Sequence, residues 1–237
     1  MEINNNYKLL IASTSTVHGS GYLEYIIDNA VRFLGVDEII FIPYARPSGV
    51  TYDDYTEAPR KAFFAKGIRV KGLHEFNNPK EALLNAKAIF TGGGNTFLLL
   101  KTLYELDLIS TLREVIGKGI PYMGSSAGSN ITGLTIGTTN DMPIVYPPSF
   151  EALEFLPFNL NPHYLDPDPN STHKGETRET RIKEFHKFNS QPVLGLREGS
   201  WLEVQNGNIE LKGNLTARLF QQGKEAVEIE NGLLIIG

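Results

Sequence analysis

In the first half of the chain, short apolar runs rich in isoleucine, valine and phenylalanine alternate with amphipathic stretches of helical length. This alternation restricts the fold more than any other feature. A strand that is apolar throughout must be covered on both faces, and parallel neighbours are joined by helical crossovers. The pattern therefore predicts an α/β fold built on a mostly parallel sheet with helices on both faces. The expected strands are 9–13, 38–43, 68–71, 88–91 and 121–124, and the expected helices are 22–34, 52–65, 79–85, 96–104 and 109–118. An all-helical bundle would leave the glycine-bounded isoleucine and valine runs unexplained.

The texture changes after about residue 140, where seven of the 13 prolines fall between Pro143 and Pro169. Such a stretch is too rigid for a continuous helix or a central strand, so an ordered surface segment is expected. A further helix fits 176–188, and 193–196, 201–204, 208–211, 218–220, 227–229 and 233–236 read as short strands, some of them antiparallel hairpin partners. Gln205-Asn206-Gly207-Asn208 is the tight-turn signal for one hairpin. With no repeat, low-complexity tract or linker, residues 1–237 are expected to form one domain.

Charge and cysteine usage narrow the chemistry. Lys and Arg number 22 against 27 Asp and Glu, a formal charge of -5, and there is no cysteine. Thiolate zinc sites, iron–sulfur clusters and a cysteine nucleophile are thereby excluded. The acidic balance and the lack of a basic cluster disfavour nucleic acid. Neither a secretory-type start nor an apolar run near the roughly 18 residues of a membrane span is present, so a cytoplasmic protein is expected. Its partner should be a small peptide or other small molecule, with no metal or organic cofactor, and the chain should be a monomer or homodimer.

Gly124-Ser125-Ser126-Ala127-Gly128 follows an apolar strand in the pattern G-x-S-x-G. This is a nucleophile-elbow pattern, in which a serine sits on a sharp strand-to-helix turn and bulkier neighbours two residues away would collide. Only Ser126 has glycine at both flanking positions. The same turn aims the backbone N–H of Ala127 toward a developing oxyanion. A second cluster, Gly92-Gly93-Gly94-Asn95-Thr96, also follows a strand and opens a helix. It is neither a Walker loop nor a dinucleotide fingerprint, and its free amides suit an anion or a second oxyanion donor.

A serine nucleophile needs a base, and the chain has five histidines. His186 in a charged helix and His74 in a polar stretch read as solvated, whereas His18 follows the first strand and could line the same sheet edge. His163 ends the run Phe158-Asn159-Leu160-Asn161-Pro162 at a proline-restricted turn, which limits where its ring can point.

Taken together, GGGNTF (92–97), GSSAGSN (124–130), TTNDMPI (138–144), NPHY (161–164), GETRETRI (175–182) and LREGSW (196–201) closely resemble the peptidase E family. These are cytoplasmic alpha-aspartyl dipeptidases, serine peptidases related to cyanophycinase with a class I glutamine-amidotransferase-like α/β fold. The resemblance runs through most of the chain in order. It implies hydrolysis of Asp-X dipeptides, with Ser126 as nucleophile, His163 as general base, and Gly94 and Ala127 as oxyanion donors. The family's third catalytic residue falls on Asp141, with Glu198 as the competing orienter of the base. The reader of the substrate aspartate falls on Arg178, with Asn95 as its helper. Ser125 departs from the family, where many members carry tryptophan. Rival readings are a cyanophycinase-like or isoaspartyl peptidase, and a silent small-molecule binding module that keeps the elbow for its fold.

Overall fold

The computed structural model describes residues 3–47, 49–168, 170 and 175–235. Its main sheet has the order β12-β9-β8-β1-β5-β4-β2-β3. The strands β1 (Lys8–Ala12), β2 (Glu38–Ile42), β3 (Arg69–Gly72), β4 (Ile89–Thr91) and β5 (Tyr122–Ser125) run parallel, and β8 (Ser200–Gln205), β9 (Asn208–Gly213) and β12 (Gly232–Leu233) extend the sheet antiparallel beyond β1.

The apolar strands are covered on both sides, as their composition requires. Leu9, Ile11, Ile40, Ile42 and Ile89 pack toward α3 (Pro79–Leu84), α4 (Thr96–Glu105) and α5 (Ile109–Gly117). The alternate residues Leu10, Ala12, Ile39, Phe41 and Phe90 pack toward α1 (Ile27–Leu34) and α2 (Tyr52–Phe64). Successive side chains of a strand point to opposite faces, so one run of sequence supplies both cores. Helix starts follow local chemistry. Thr51 caps α2 in a reciprocal arrangement with Asp54, Asn78 caps α3, and Asn95 caps α4.

Helix α1 starts five residues later than the expected 22–34. Leu23 adopts φ 58°, a left-handed conformation that cannot continue a helix, and the segment before Ile27 is turns. Helix α7 (Arg178–Phe185) is shorter than the expected 176–188 because Thr177 caps it, accepting from the Thr180 N–H. At the C-terminus the strand is Gly232–Leu233, and Ile236 lies outside the described residues.

A second sheet, ordered β11-β10-β7-β6, is built from β6 (Asn159–Pro162), β7 (Val193–Leu196), β10 (Ala217–Phe220) and β11 (Val227–Ile229). The proline-rich segment thus contains a strand. Among the described strands β6 pairs only with β7, in parallel, and Pro162 stands at its end, a position that tolerates the missing N–H. Asparagine side chains bind this edge to the preceding loop. Asn159 exchanges bonds with Thr135, Asn161 donates to Thr138 O and Asn140 Oδ1, and Asn140 donates to Pro162 O.

Candidate active site

The elbow is formed by close backbone contacts. Ser126 sits between β5 and α6 (Ala127–Asn130) at φ 53° and ψ -113°, a strained conformation for a residue with a Cβ. A Cβ on Gly124 would come within 2.5 Å of Gly128 O, and one on Gly128 within 2.1 Å of Thr91 O, so both flanking positions exclude a side chain. Tyr122 OH donates to Gly128 O and Ser129 Oγ to Ala12 O, fixing the turn from below. Ser125 is fully buried in β5, and its hydroxyl has no hydrogen-bond partner among the described residues.

His163 reaches Ser126 from the second sheet. Ser13, just past β1, donates its hydroxyl to Leu196 O (2.7 Å) and accepts the His163 N–H (2.9 Å), joining the carboxyl end of the main sheet to the ends of β6 and β7. The ring nitrogen Nε2 then lies 2.8 Å from Ser126 Oγ, and Nδ1 lies 2.6 Å from Glu198 Oε1. An ionised carboxylate only accepts, so Nδ1 carries the proton and Nε2 presents its lone pair to the serine hydroxyl. Glu198 stands on the turn from β7 to β8, where the chain passes from one sheet to the other and Gly199 takes φ 90°.

Asp141 has different partners. Its Oδ2 accepts from Thr96 N–H (2.7 Å), Thr96 Oγ1 (2.6 Å) and Thr139 Oγ1 (3.2 Å), at the first turn of α4. Asp141 nevertheless lines the same small cavity, of about 20 Å³, as Ser126, Ala127 and His163. Of the two carboxylates expected to compete for His163, Glu198 is the one in contact with the ring.

The glycine loop lies directly against Ser126, since a Cβ on Gly93 would come within 2.9 Å of Ser126 Cβ. Gly92 N–H donates to Ile42 O, Asn95 N–H to Ala45 O, and Tyr55 OH to Gly93 O at 2.9 Å. Between them Gly94 takes φ 139° over Ala45 O, where a Cβ would be only 2.2 Å from that oxygen. Ala127 is the first residue of α6, so its N–H has no partner four residues back in the helix. Asn95 is occupied structurally: Oδ1 accepts from Leu98 N–H and Nδ2 donates to Met142 O, leaving one amide N–H.

Arg178 opens α7 and lines a cleft of about 350 Å³ with Leu165, Asp166 and Arg181. It has no hydrogen bond or ion pair among the described residues, whereas Arg181 and Lys183 pair with Glu176 and Glu179. Burial and the neighbouring Arg181 charge lower its pKa, opposed by the Asp141 carboxylate, which places Arg178 within electrostatic range of the Ser126 cavity.

Two other histidines differ from the solvated reading. His186 is buried, with Nε2 3.0 Å from Gln191 O. The His74 ring is largely covered and meets Asp53 at 2.8 Å. His18 is exposed past β1, while His173 and Lys174 lie outside the described residues. Sequence reasoning missed Ser13 and Arg197 as organisers of the site. Arg197 adjoins Glu198 and spends its guanidinium on Asp166, Glu228 and Thr216. Serines and arginines recur throughout the chain, and no local signal distinguishes these two.

A strained serine at a strand-to-helix turn, backed by an imidazole and a carboxylate, places the protein among the serine hydrolases. The sequence model described as Peptidase family S51 matches residues 9–212, and the chain belongs to that family of serine peptidases. It is 50% identical over 225 residues to a Streptomyces coelicolor protein named Peptidase E, covering 94% of this chain and 91% of the relative. A Drosophila melanogaster relative named "Probable alpha-aspartyl dipeptidase" is 48% identical over 217 residues, 90% of this chain and 89% of its own. Peptidase E of Shigella flexneri is 42% identical over 229 residues, 95% and 98% of the two chains. In fold, a crystal structure from Listeria monocytogenes EGD-e superposes with TM-score 0.66 at 24% identity, over 88% of this chain and 99% of that one. A peptidase from an acI-B1 Actinobacterium also reaches 0.66, at 16% identity over 96% and 98%. Among the described residues, no helix is long and apolar enough to cross a membrane.

Proposed function

We propose that the protein is a serine dipeptidase that removes an N-terminal aspartate from Asp-X dipeptides through an acyl-enzyme. The observation that carries the mechanism is the continuous contact Ser126–His163–Glu198 at 2.8 and 2.6 Å. Ser126 Oγ attacks the peptide carbonyl while its proton passes to His163 Nε2. Glu198 holds the Nδ1 tautomer and stabilises the imidazolium. The oxyanion is received by the N–H groups of Gly94 and Ala127. As the C–N bond breaks, Nε2 returns the proton to the leaving amine. Water, deprotonated by the same nitrogen, then releases aspartate and restores the serine. In this reading Asp141 shapes the cavity by holding the first turn of α4.

Arg178 supplies the selectivity. A planar guanidinium binds a carboxylate in two parallel hydrogen bonds, and this one has no protein carboxylate bound to it among the described residues. The names of the S. coelicolor, D. melanogaster and S. flexneri relatives support the same activity.

The test is a panel of Asp-X, isoAsp-X, Glu-X and Asn-X dipeptides with the native protein and Arg178→Ala. Asp-X should be the best substrate, and the Asp-X to Asn-X ratio of kcat/KM should collapse toward one in the variant. Loss of the carboxylate's partner is penalised by about 2–5 kcal/mol. Preference for isoAsp-X would favour the isoaspartyl reading. Failure of a fluorophosphonate probe to label Ser126 would indicate a silent binding module.

A further inference from the structure

Every arginine but three is paired with a carboxylate among the described residues, and of the three Arg32 bonds Asn29. Of the remaining two, Arg46 follows β2 at the carboxyl edge of the main sheet, and Arg178 lies within electrostatic range of Asp141, which lines the Ser126 cavity. An Asp-X dipeptide likewise carries two carboxylates, one on the aspartate side chain and one at its C-terminus.

Arg46 lies just beyond β2, on the segment that packs against the glycine loop. The preceding residue, Ala45, accepts the Asn95 N–H at 2.7 Å and supports Gly94. The Arg46 guanidinium carbon stands 4.4 Å from the centre of the Tyr55 ring, and the Tyr55 hydroxyl holds Gly93 O, so the exposed cation is stacked in place rather than free to sweep the solvent. Gly93 in turn touches Ser126.

The strand order β5-β4-β2 sets the end of β2 two strand spacings from the nucleophile's strand, roughly 10 Å. The C-terminal carboxylate of a dipeptide lies one residue from the scissile carbonyl, roughly 4 Å. The Tyr55 hydroxyl beneath the stacked guanidinium bonds Gly93 O, and Gly93 lies against Ser126, so one tyrosine and the glycine loop separate the Arg46 cation from the elbow. Arg178 approaches from α7 and Asp141, while Arg46 approaches from β2, across β4.

We propose that Arg46 forms a second anion subsite that binds the free C-terminal carboxylate of the substrate, on the leaving-group side of Ser126. The proposal rests on the dipeptidase reading and deepens it: it gives a chemical reason for cutting dipeptides rather than longer chains. A tripeptide presents a neutral amide at this point, with its carboxylate a residue farther out.

The test compares Asp-Leu with Asp-Leu-amide as substrates of the native protein, Arg46→Gln and Arg46→Lys. In the native protein the free acid should exceed the amide by about 10- to 100-fold in kcat/KM, mostly through KM, as expected for one charge-assisted contact. Arg46→Gln should bring that ratio toward one, and Arg46→Lys should keep an intermediate ratio because the charge remains without the fork. A native ratio near one overturns the proposal. So does an equal loss on both substrates in Arg46→Gln, which would mean that Arg46 acts by bracing Tyr55 and the glycine loop. If Arg46→Gln is unstable, an Arg46→Lys ratio equal to the native one overturns it as well. A native protein that cleaves neither compound refutes the dipeptidase reading itself, an outcome distinct from an active enzyme indifferent to the C-terminal charge.

Discussion

The elbow at β5–α6 and the β6–β8 region hold the two halves of the site by different means. The elbow is held by backbone exclusion: Gly124 and Gly128 each sit where no Cβ fits, and Ser126 is strained between them. The β6–β8 region, which provides His163 and Glu198, is held by polar side chains. Ser13 joins the sheets, asparagines fasten β6, and Arg197 bridges Asp166 at 2.8 Å and Glu228 at 3.0 Å while its guanidinium lies 5.5 Å from the Tyr164 ring. A nucleophile on a tight turn can be positioned by local sterics. A base supplied by a different sheet must be positioned by specific long-range bonds. The same contrast separates the arginines: Arg197 is saturated by protein carboxylates and is structural, whereas Arg178 is unpaired among the described residues and available to a ligand.

Four experiments probe the contrast. The largest effect is expected from Ser126→Ala, which should lower kcat by about 10⁴- to 10⁶-fold with an unchanged Tm, while Ser125→Ala keeps most of the activity. Appreciable hydrolysis by Ser126→Ala would refute the assignment of the nucleophile.

Next comes the pair of carboxylates. Glu198→Gln should cost about 10³- to 10⁴-fold in kcat because the base loses its tautomer anchor. Asp141→Asn should cost far less in rate, with about 1 kcal/mol of stability from the weakened first turn of α4. Equal losses, measured as kcat and Tm side by side, would contradict the division of roles.

Gly128→Ala tests exclusion at the elbow. Its methyl would press on Thr91 O, and overpacking of this kind costs about 1–3 kcal/mol, readable by urea denaturation. An unperturbed midpoint would mean that the turn relaxes freely.

The smallest effect is expected from Arg197→Gln. Asp166 and Glu228 are each nearly half exposed, so screening holds the loss to about 1 kcal/mol at neutral pH. Arg197 is the first cause holding both carboxyls below their ordinary pKa values of 3.8 and 4.5. Folded-state pKa values below the unfolded ones contribute stability above the unfolded values, and that stability is lost as pH falls through the folded ones. Native and variant midpoints should therefore converge as the pH is lowered below about 4. A gap that persists undiminished in acid would show that packing on Tyr164, and not charge, is what Arg197 contributes.

The parallel core and the elbow were legible in the sequence because they depend on neighbours close along the chain: strand alternation, helix caps, and glycines two residues either side of Ser126. β6 was less legible, since proline reads against a strand until an edge position makes it harmless. For His163, the turn after Pro162 was visible but its distance from Ser126 was not, because it depends on Ser13, 150 residues away.

By itself the sequence determined the α/β class, the serine of the elbow and, through resemblance to its family, a short list of partners. Only the tertiary structure decided which carboxylate meets the imidazole and which arginines remain without a carboxylate among the described residues. Both depend on where β7 crosses between sheets and on which charges fold against one another. Pairing is a property of distances across the fold, and local sterics do not encode it.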